Sequence, residues 1–180
     1  MWSTQTIKLA GVPRTFDVYT QQATHSCGPS CVMMVVNQMF NQKPAEAIVR
    51  LWFGQVELLH HRSGILDGKG ADARIFNFAS DSHIDTIRDV LRDKKQVNAR
   101  YSIGLANGIT ACSPAYPGVA RLTWALNDQG HFIVALGRMA GDYVYLDPFH
   151  GLIHVPYKKF PNYEANGSYG EINRIMVTNP

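Results

Sequence analysis

The sequence predicts an α+β fold, with helices gathered in the N-terminal half and antiparallel strands after them. Three observations carry this expectation. An apolar run from Cys31 to Val36, extended by Met39 and Phe40, is long for a strand and reads as a buried helix. Residues 83–94 repeat apolar side chains at helical spacing. From residue 119 onward, short apolar segments alternate with glycine- and asparagine-containing turns, as in a sheet.

Each element follows in order. Residues 5–20 alternate weakly (Ile7, Leu9, Val12, Phe16, Val18) around Gly11 and Pro13, an extended lead-in holding one short strand. A turn-prone segment, Thr24-His25-Ser26, then runs into Cys27-Gly28-Pro29. Proline is tolerated in a first helical turn, where the amide donors lack intrahelical partners, so a helix is expected from about Cys27 to residue 41. The thiol of Cys27 thus sits where the helix dipole favours a negative charge. The competing reading is a small buried cysteine with no chemistry. Asn41-Gln42-Lys43-Pro44 breaks the helix, and Ala47, Ile48, Leu51 and Trp52 mark a second one over 44–54, ended by Gly54.

Residues 56–71, with His60-His61 and Asp67-Gly68-Lys69-Gly70, read as a loop, and 71–79 as a short helix. The glycine-lysine stretch is no phosphate cradle, because no serine or threonine follows Lys69-Gly70 and no strand precedes it. Asp81-Ser82 caps a helix from His83 to Lys94 whose inner face is Ile84, Ile87, Val90 and Leu91. Residues 97–103 alternate like a strand, and 104–118, containing Cys112, reads as a long loop bordering a cleft. Val119–Leu126 fits a strand or a short helix. Strands at 131–136, 143–146, 151–157 and 172–177, divided by turns at Asn127–Gly130 and Ala140-Gly141, complete a sheet of about four to six strands.

A length of 180 residues suits one domain, here 1–180, with a helical half at about 21–96 and a β half at about 97–180. The composition, 46% hydrophobic and 17% charged, is that of an ordinary globular protein. A net charge of +3 without a dense Lys/Arg cluster implies neither nucleic acid nor an anionic membrane. Three cysteines are too few for a disulfide scaffold and are expected as reduced thiols. The N-terminal residues lack the apolar core of a signal peptide, and no apolar run approaches the ~18 residues of a membrane span. The expected location is cytoplasmic, or secreted without a cleaved signal peptide. No CxxC or HExxH pattern joins the histidines, His150 and His154 on one side of a strand included, so neither a metal nor a cofactor is expected.

Cysteine catalysis needs a thiolate, a base within hydrogen-bond reach and a group that orients the base. His131 follows a glycine turn and opens the most apolar strand, and the next strand ends in Asp147-Pro148. A two-residue turn at Ala140-Gly141 pairs 147 with about 134, so close contact of His131 with Asp147 requires a bulge or a longer loop. A carboxylate in that position fixes an imidazole's tautomer. Singly, such a histidine is more often structural and Asp-Pro more often a turn signal.

Taken together, Gln21, Cys27-Gly28-Pro29, Gly130-His131-Phe132-Ile133-Val134 and Tyr145-Leu146-Asp147-Pro148 resemble the papain-like cysteine proteases. Within them the pattern is most similar to the bacterial peptidases that remove double-glycine leaders from bacteriocins. Papain-like secreted effectors and toxins, some of them glutamine deamidases, share the order Gln, Cys, His, Asp. The resemblance covers three short motifs spread over most of the chain. It implies a papain-like fold, a helical half packed on an antiparallel sheet with the active site at the seam. It also implies Cys27 as nucleophile, His131 as general base and acid, and Asp147 as the residue orienting it. Gln21 would then donate to the oxyanion together with the Cys27 amide; adjacent Gln22 competes, but the six-residue spacing favours Gln21. Three departures stand out. Phe149 lies near where papain carries a tryptophan, and the orienting residue is asparagine in papain. The interval from Cys27 to His131, 131 − 27 = 104, also exceeds that expected of leader peptidases, the extra length falling in 55–80 and 104–118. Trp124 and Phe149 are candidates to line a substrate pocket, with core packing the competing role for Trp124.

The expected function is a papain-like thiol hydrolase cleaving a peptide or amide bond of a protein or peptide substrate through an acyl-enzyme. A stand-alone bacterial enzyme or an effector delivered by a specialised secretion system fits the resemblance. Glutamine deamidation or acyl transfer by the same triad is the alternative, and an inactive binding protein a further one. Cys31 is expected to pack in the core. Cys112 has no activating neighbour in sequence.

Overall fold

A computed structural model describes residues 1–23, 26–59 and 83–180. The turn at Thr24-His25, the loop residues 60–71, the short helix at 71–79 and the Asp81-Ser82 cap lie outside these residues.

The lead-in is a complete hairpin rather than one short strand: β1 (Trp2–Leu9) pairs antiparallel with β2 (Val12–Tyr19) through Ala10-Gly11. Both turn residues adopt positive φ, 50° and 79°, as a tight two-residue connection requires. Helix α1 (Cys27–Phe40) follows, buried from Cys27 through Asn37. A helix apolar on nearly all sides belongs inside a protein, and α1 packs on the sheet and on two further helices. It stops at Asn41, a left-handed residue (φ 53°) whose N–H reaches the Asn37 carbonyl at 2.8 Å.

Helix α2 (Glu46–Leu59) begins two residues past Pro44 and runs through Gly54 instead of ending there. Its buried stripe is Val49, Phe53, Val56 and Glu57, while Ile48 and Leu51 are exposed. The expected face of Ala47, Ile48, Leu51 and Trp52 is therefore not the buried one. Gly54 lies on the buried side. Helix α3 (His83–Lys95) carries its expected face, with Ile84, Ile87, Val90 and Leu91 fully buried. The long loop at 104–118 is a second correction, since it contains helix α4 (Leu105–Ala111), which lies against the last strand through Ile109.

Among the described residues the sheet is antiparallel and seven-stranded, one more than the upper expectation. Its strands are β3 (Asn98–Tyr101), β4 (Gly118–Trp124), β5 (Gly130–Met139), β6 (Asp142–Asp147), β7 (Gly151–Pro156), β8 (Asn162–Ala165) and β9 (Ser168–Asn179). The order is β3-β9-β4-β5-β6-β7, with β8 also on β9. Strand β8 was not expected.

The sheet divides the core into two layers. Phe132, Val134 and Leu136 of β5 face α1, α2 and α3. Ile133 and Ala135 face the opposite way, with Tyr145, Tyr163 and Ile109. Among the described residues no helix is long and apolar enough to cross a membrane.

Candidate active site

Cys27 is the first residue of α1, so its thiol stands at the helix N-terminus, at the rim of the sheet. Although only 3% exposed, it lines a cleft of about 1140 Å³. His131, Trp124, Phe149, Gln21 and Gln22 line the same cleft. Cys31, one turn further on, is fully buried in the core, and burial pushes its pKa well up.

His131 and Asp147 meet because the β5–β6 hairpin is bulged. Its turn at Ala140-Gly141 (φ 51° and 95°) sets Met139 opposite Asp142 and Gly137 opposite Val144. Beyond Leu136 the register moves by one, pairing Ala135 with Tyr145 and Val134 with Leu146. A one-residue shift exchanges the faces on which opposed side chains lie. Unshifted, Asp147 would oppose Val134 on the helical face; shifted, it opposes Ile133 and shares the face of His131. The imidazole Nε2 lies 2.8 Å from Asp147 Oδ1. The bulge that close contact demanded is therefore present.

Asp147 has no exposed surface, and its charge is met from several sides. Oδ1 also accepts the backbone N–H groups of Phe149 (2.8 Å) and His150 (3.1 Å), and Oδ2 accepts the Tyr163 hydroxyl (2.7 Å). Burial alone would raise its pKa, but the charge and hydrogen bond of His131, the Phe149 amide and Tyr163 hold it below the ordinary carboxylate value. For His131, burial disfavours the cation. The charge and hydrogen bond of Asp147, joined by a side-chain hydrogen bond and charge from Cys27, outweigh this and push it up to about 10. With Nε2 committed to Asp147, Nδ1 is the nitrogen left to serve Cys27.

Trp124 stacks on the His131 ring, centroids 5.5 Å apart at 26°, and meets His150 edge-on. Its place is the cleft wall rather than the deep core. Phe149 is 66% exposed beside it and packs edge-on against His150. His150 thus turns into the cleft just before β7, while His154 pairs with Asp142 at 2.7 Å.

Gln21 also reaches the site. Its backbone N–H binds the carbonyl of Pro148 at 2.8 Å, tying it to the turn after Asp147. Its side-chain Nε2 donates to the Ala23 carbonyl at 2.8 Å, so the amide is turned onto its own loop. Cys112 ends α4 as a buried thiol donating to the Gly108 carbonyl, and burial pushes it up to about 12. It lies outside the cleft lining.

Tyr163 escaped the sequence reading because β8 did. The missed signal was Asn166-Gly167, an Asn-Gly pair that makes the two-residue turn between β8 and β9 (φ 50° and 84°).

No family model and no curated protein matches the chain. Among solved structures it resembles the peptidase domain of Streptococcus ComA, a bi-functional ABC transporter involved in a quorum-sensing pathway. That match is 13% identical, covers 91% of this chain and 97% of that one, and has a TM-score of 0.50. It also resembles a double-glycine-motif protease from an AMS/PCAT transporter in complex with the leader peptide. There the identity is 17%, coverage 100% of this chain and 99% of that one, and the TM-score 0.54. The α+β architecture is thus similar to the fold of these two peptidase domains.

Proposed function

We propose that this chain is a cysteine peptidase of the papain type, cleaving a peptide bond through a Cys27 acyl-enzyme. The observation that carries the reading is the His131 Nε2–Asp147 Oδ1 bond, set in one cleft with a cysteine at a helix N-terminus. In this mechanism Cys27 attacks the scissile carbonyl. Protonated His131 hands its proton to the leaving amine, and Asp147 holds the ring and its charge throughout. Water then attacks the thioester with His131 as base, which frees the acid and restores the thiol.

The oxyanion falls to the amides at the start of α1 and to Gln21. The Gln21 amide group carries two N–H hydrogens, so donation to an oxyanion is compatible with the Ala23 contact or follows a small turn away from it. The open aromatic cleft and the leader peptide bound to one structural neighbour favour a peptide substrate with a double-glycine site.

The test is mass spectrometry of such a peptide incubated with the wild type and with Cys27→Ala. Cleavage after the glycine pair by the wild type alone is expected. No cleavage, or an amide-to-acid mass change on an uncut chain, would replace this reading with deamidation or binding.

A further inference from the structure

We propose that Tyr163 is a positioning residue for the Cys27–His131 pair, acting through Asp147. The inference rests on the reading of Asp147 as the residue that orients His131. Asp147 divides its acceptors unequally. Oδ1 takes the His131 ring and two backbone amides, whereas Oδ2 is held by the Tyr163 hydroxyl at 2.7 Å. A buried carboxylate oxygen needs a donor, and among the described residues Tyr163 supplies the one on Oδ2.

The phenol is built for donation. Tyr163 is 1% exposed, and burial first, then the Asp147 charge and their mutual hydrogen bond, push its pKa well above the usual tyrosine value. It therefore stays protonated and directs its proton at Oδ2. Its ring is wedged edge-on against Tyr145, centroids 5.2 Å apart, and tilted against Trp124 at 6.0 Å. Trp124 is the ring that stacks on His131. One residue of β8 thus steadies both the carboxylate and the aromatic ring that flank the imidazole. Since β8 joins the sheet only through β9, the β8–β9 hairpin, remote in sequence from Cys27, sets the geometry of the site.

The titratable groups near this pair are Cys27 and Cys31 from α1, Tyr145 and Asp147 from β6, His150 before β7 and Tyr163 itself. A Tyr163→Phe variant removes the donor while keeping the ring. The test follows the His131 ring protons by NMR against pH in the full chain, in Cys27→Ala and in Cys27→Ala/Tyr163→Phe. Removing the cysteine isolates the Asp147–Tyr163 contribution from any turnover. The double variant should titrate about one pH unit higher than Cys27→Ala, because a carboxylate that has lost the phenol's hydrogen bond attracts the imidazolium more strongly, a change on the scale of one hydrogen bond to a charged group.

A folded double variant with the His131 midpoint unmoved would overturn the proposal, because a merely structural tyrosine lowers stability without shifting that midpoint. Should the variant not fold, the unmutated chain decides. The low-field hydroxyl proton of Tyr163 should shift with the same midpoint as His131, and independence of the two would overturn the proposal. These readouts need no substrate, so an absence of peptide cleavage alongside a shifted midpoint would count against the proposed activity alone.

Discussion

At the residue scale, the three positions of the proposed site each carry a local signature in the sequence. Cys27 opens an apolar helix before Gly28-Pro29, His131 opens the most apolar strand, and Asp147 precedes a proline at a strand end. Tyr163 had no such signature, since its role comes entirely from a contact across the sheet. The His131–Asp147 pair makes a pH-dependent contribution whose sign follows from the shifts. The folded pKa of His131, about 10, lies above its ordinary 6.5, so the stability it confers is complete below about 6.5 and is lost as pH rises through about 10. Asp147 is lowered from 3.8, so its contribution is complete above that value and is lost as pH falls through the depressed folded value. Urea unfolding of the wild type and Asp147→Asn across pH should therefore show a difference that is level from about pH 4 to about 6.5, shrinks steadily above that and levels off above about 10. A difference unchanged between about 6.5 and about 10 would refute the ion pair. Asp147→Ala, which removes the acceptor altogether, should slow peptide hydrolysis by about 10²–10⁴-fold, the cost of an imidazole left without its orienting partner, measured as kcat/KM.

At the element scale, the bulge at Leu136 decides whether the site exists at all. The run from His131 to Leu136 reads as uninterrupted apolar strand, so its extra residue was invisible in sequence, although the need for one was not. Gly137 makes the bulge possible. Its φ of 89° suits glycine, and a Cβ there would collide with the Cys112 carbonyl at the end of α4. Gly137→Ala should cost about 2–4 kcal/mol by urea denaturation, combining left-handed strain with a backbone clash. It should also depress activity, because the shifted register places Asp147 on the His131 face. Unchanged stability would mean that the bulge tolerates a side chain. Helix α4 was missed for a related reason. Leu105–Ala111 contains Gly, Asn and Thr, poor helix formers, and packing of Ile109 against the sheet outweighs that weak propensity. Packing likewise carries α2 past Gly54, where the buried Phe53, Val56 and Glu57 hold the last turns.

At the scale of the whole molecule, the helical and sheet halves share one apolar layer, in which Cys31, Met34 and Val35 of α1 meet Phe132, Val134 and Leu136 of β5. The order α1, α2, α3 and then strands was readable from hydrophobic period and turn residues. The second layer, behind the sheet, depended on α4 and β8 and was not. A shared core predicts one unfolding transition: far-UV circular dichroism and tryptophan fluorescence should give coincident curves, and Met34→Ala should lower both by about 2–5 kcal/mol. Separate midpoints would divide the halves. The site needs the same union, with its thiol on one half and its imidazole and carboxylate on the other. Alkylation of the three cysteines by iodoacetamide at neutral pH, read by peptide mass mapping, tests this most directly. Cys27 should react fastest in the folded chain and lose that advantage in His131→Ala. If Cys27 reacts no faster than Cys112, or if His131→Ala leaves its rate unchanged, then His131 does not activate Cys27 and the account fails.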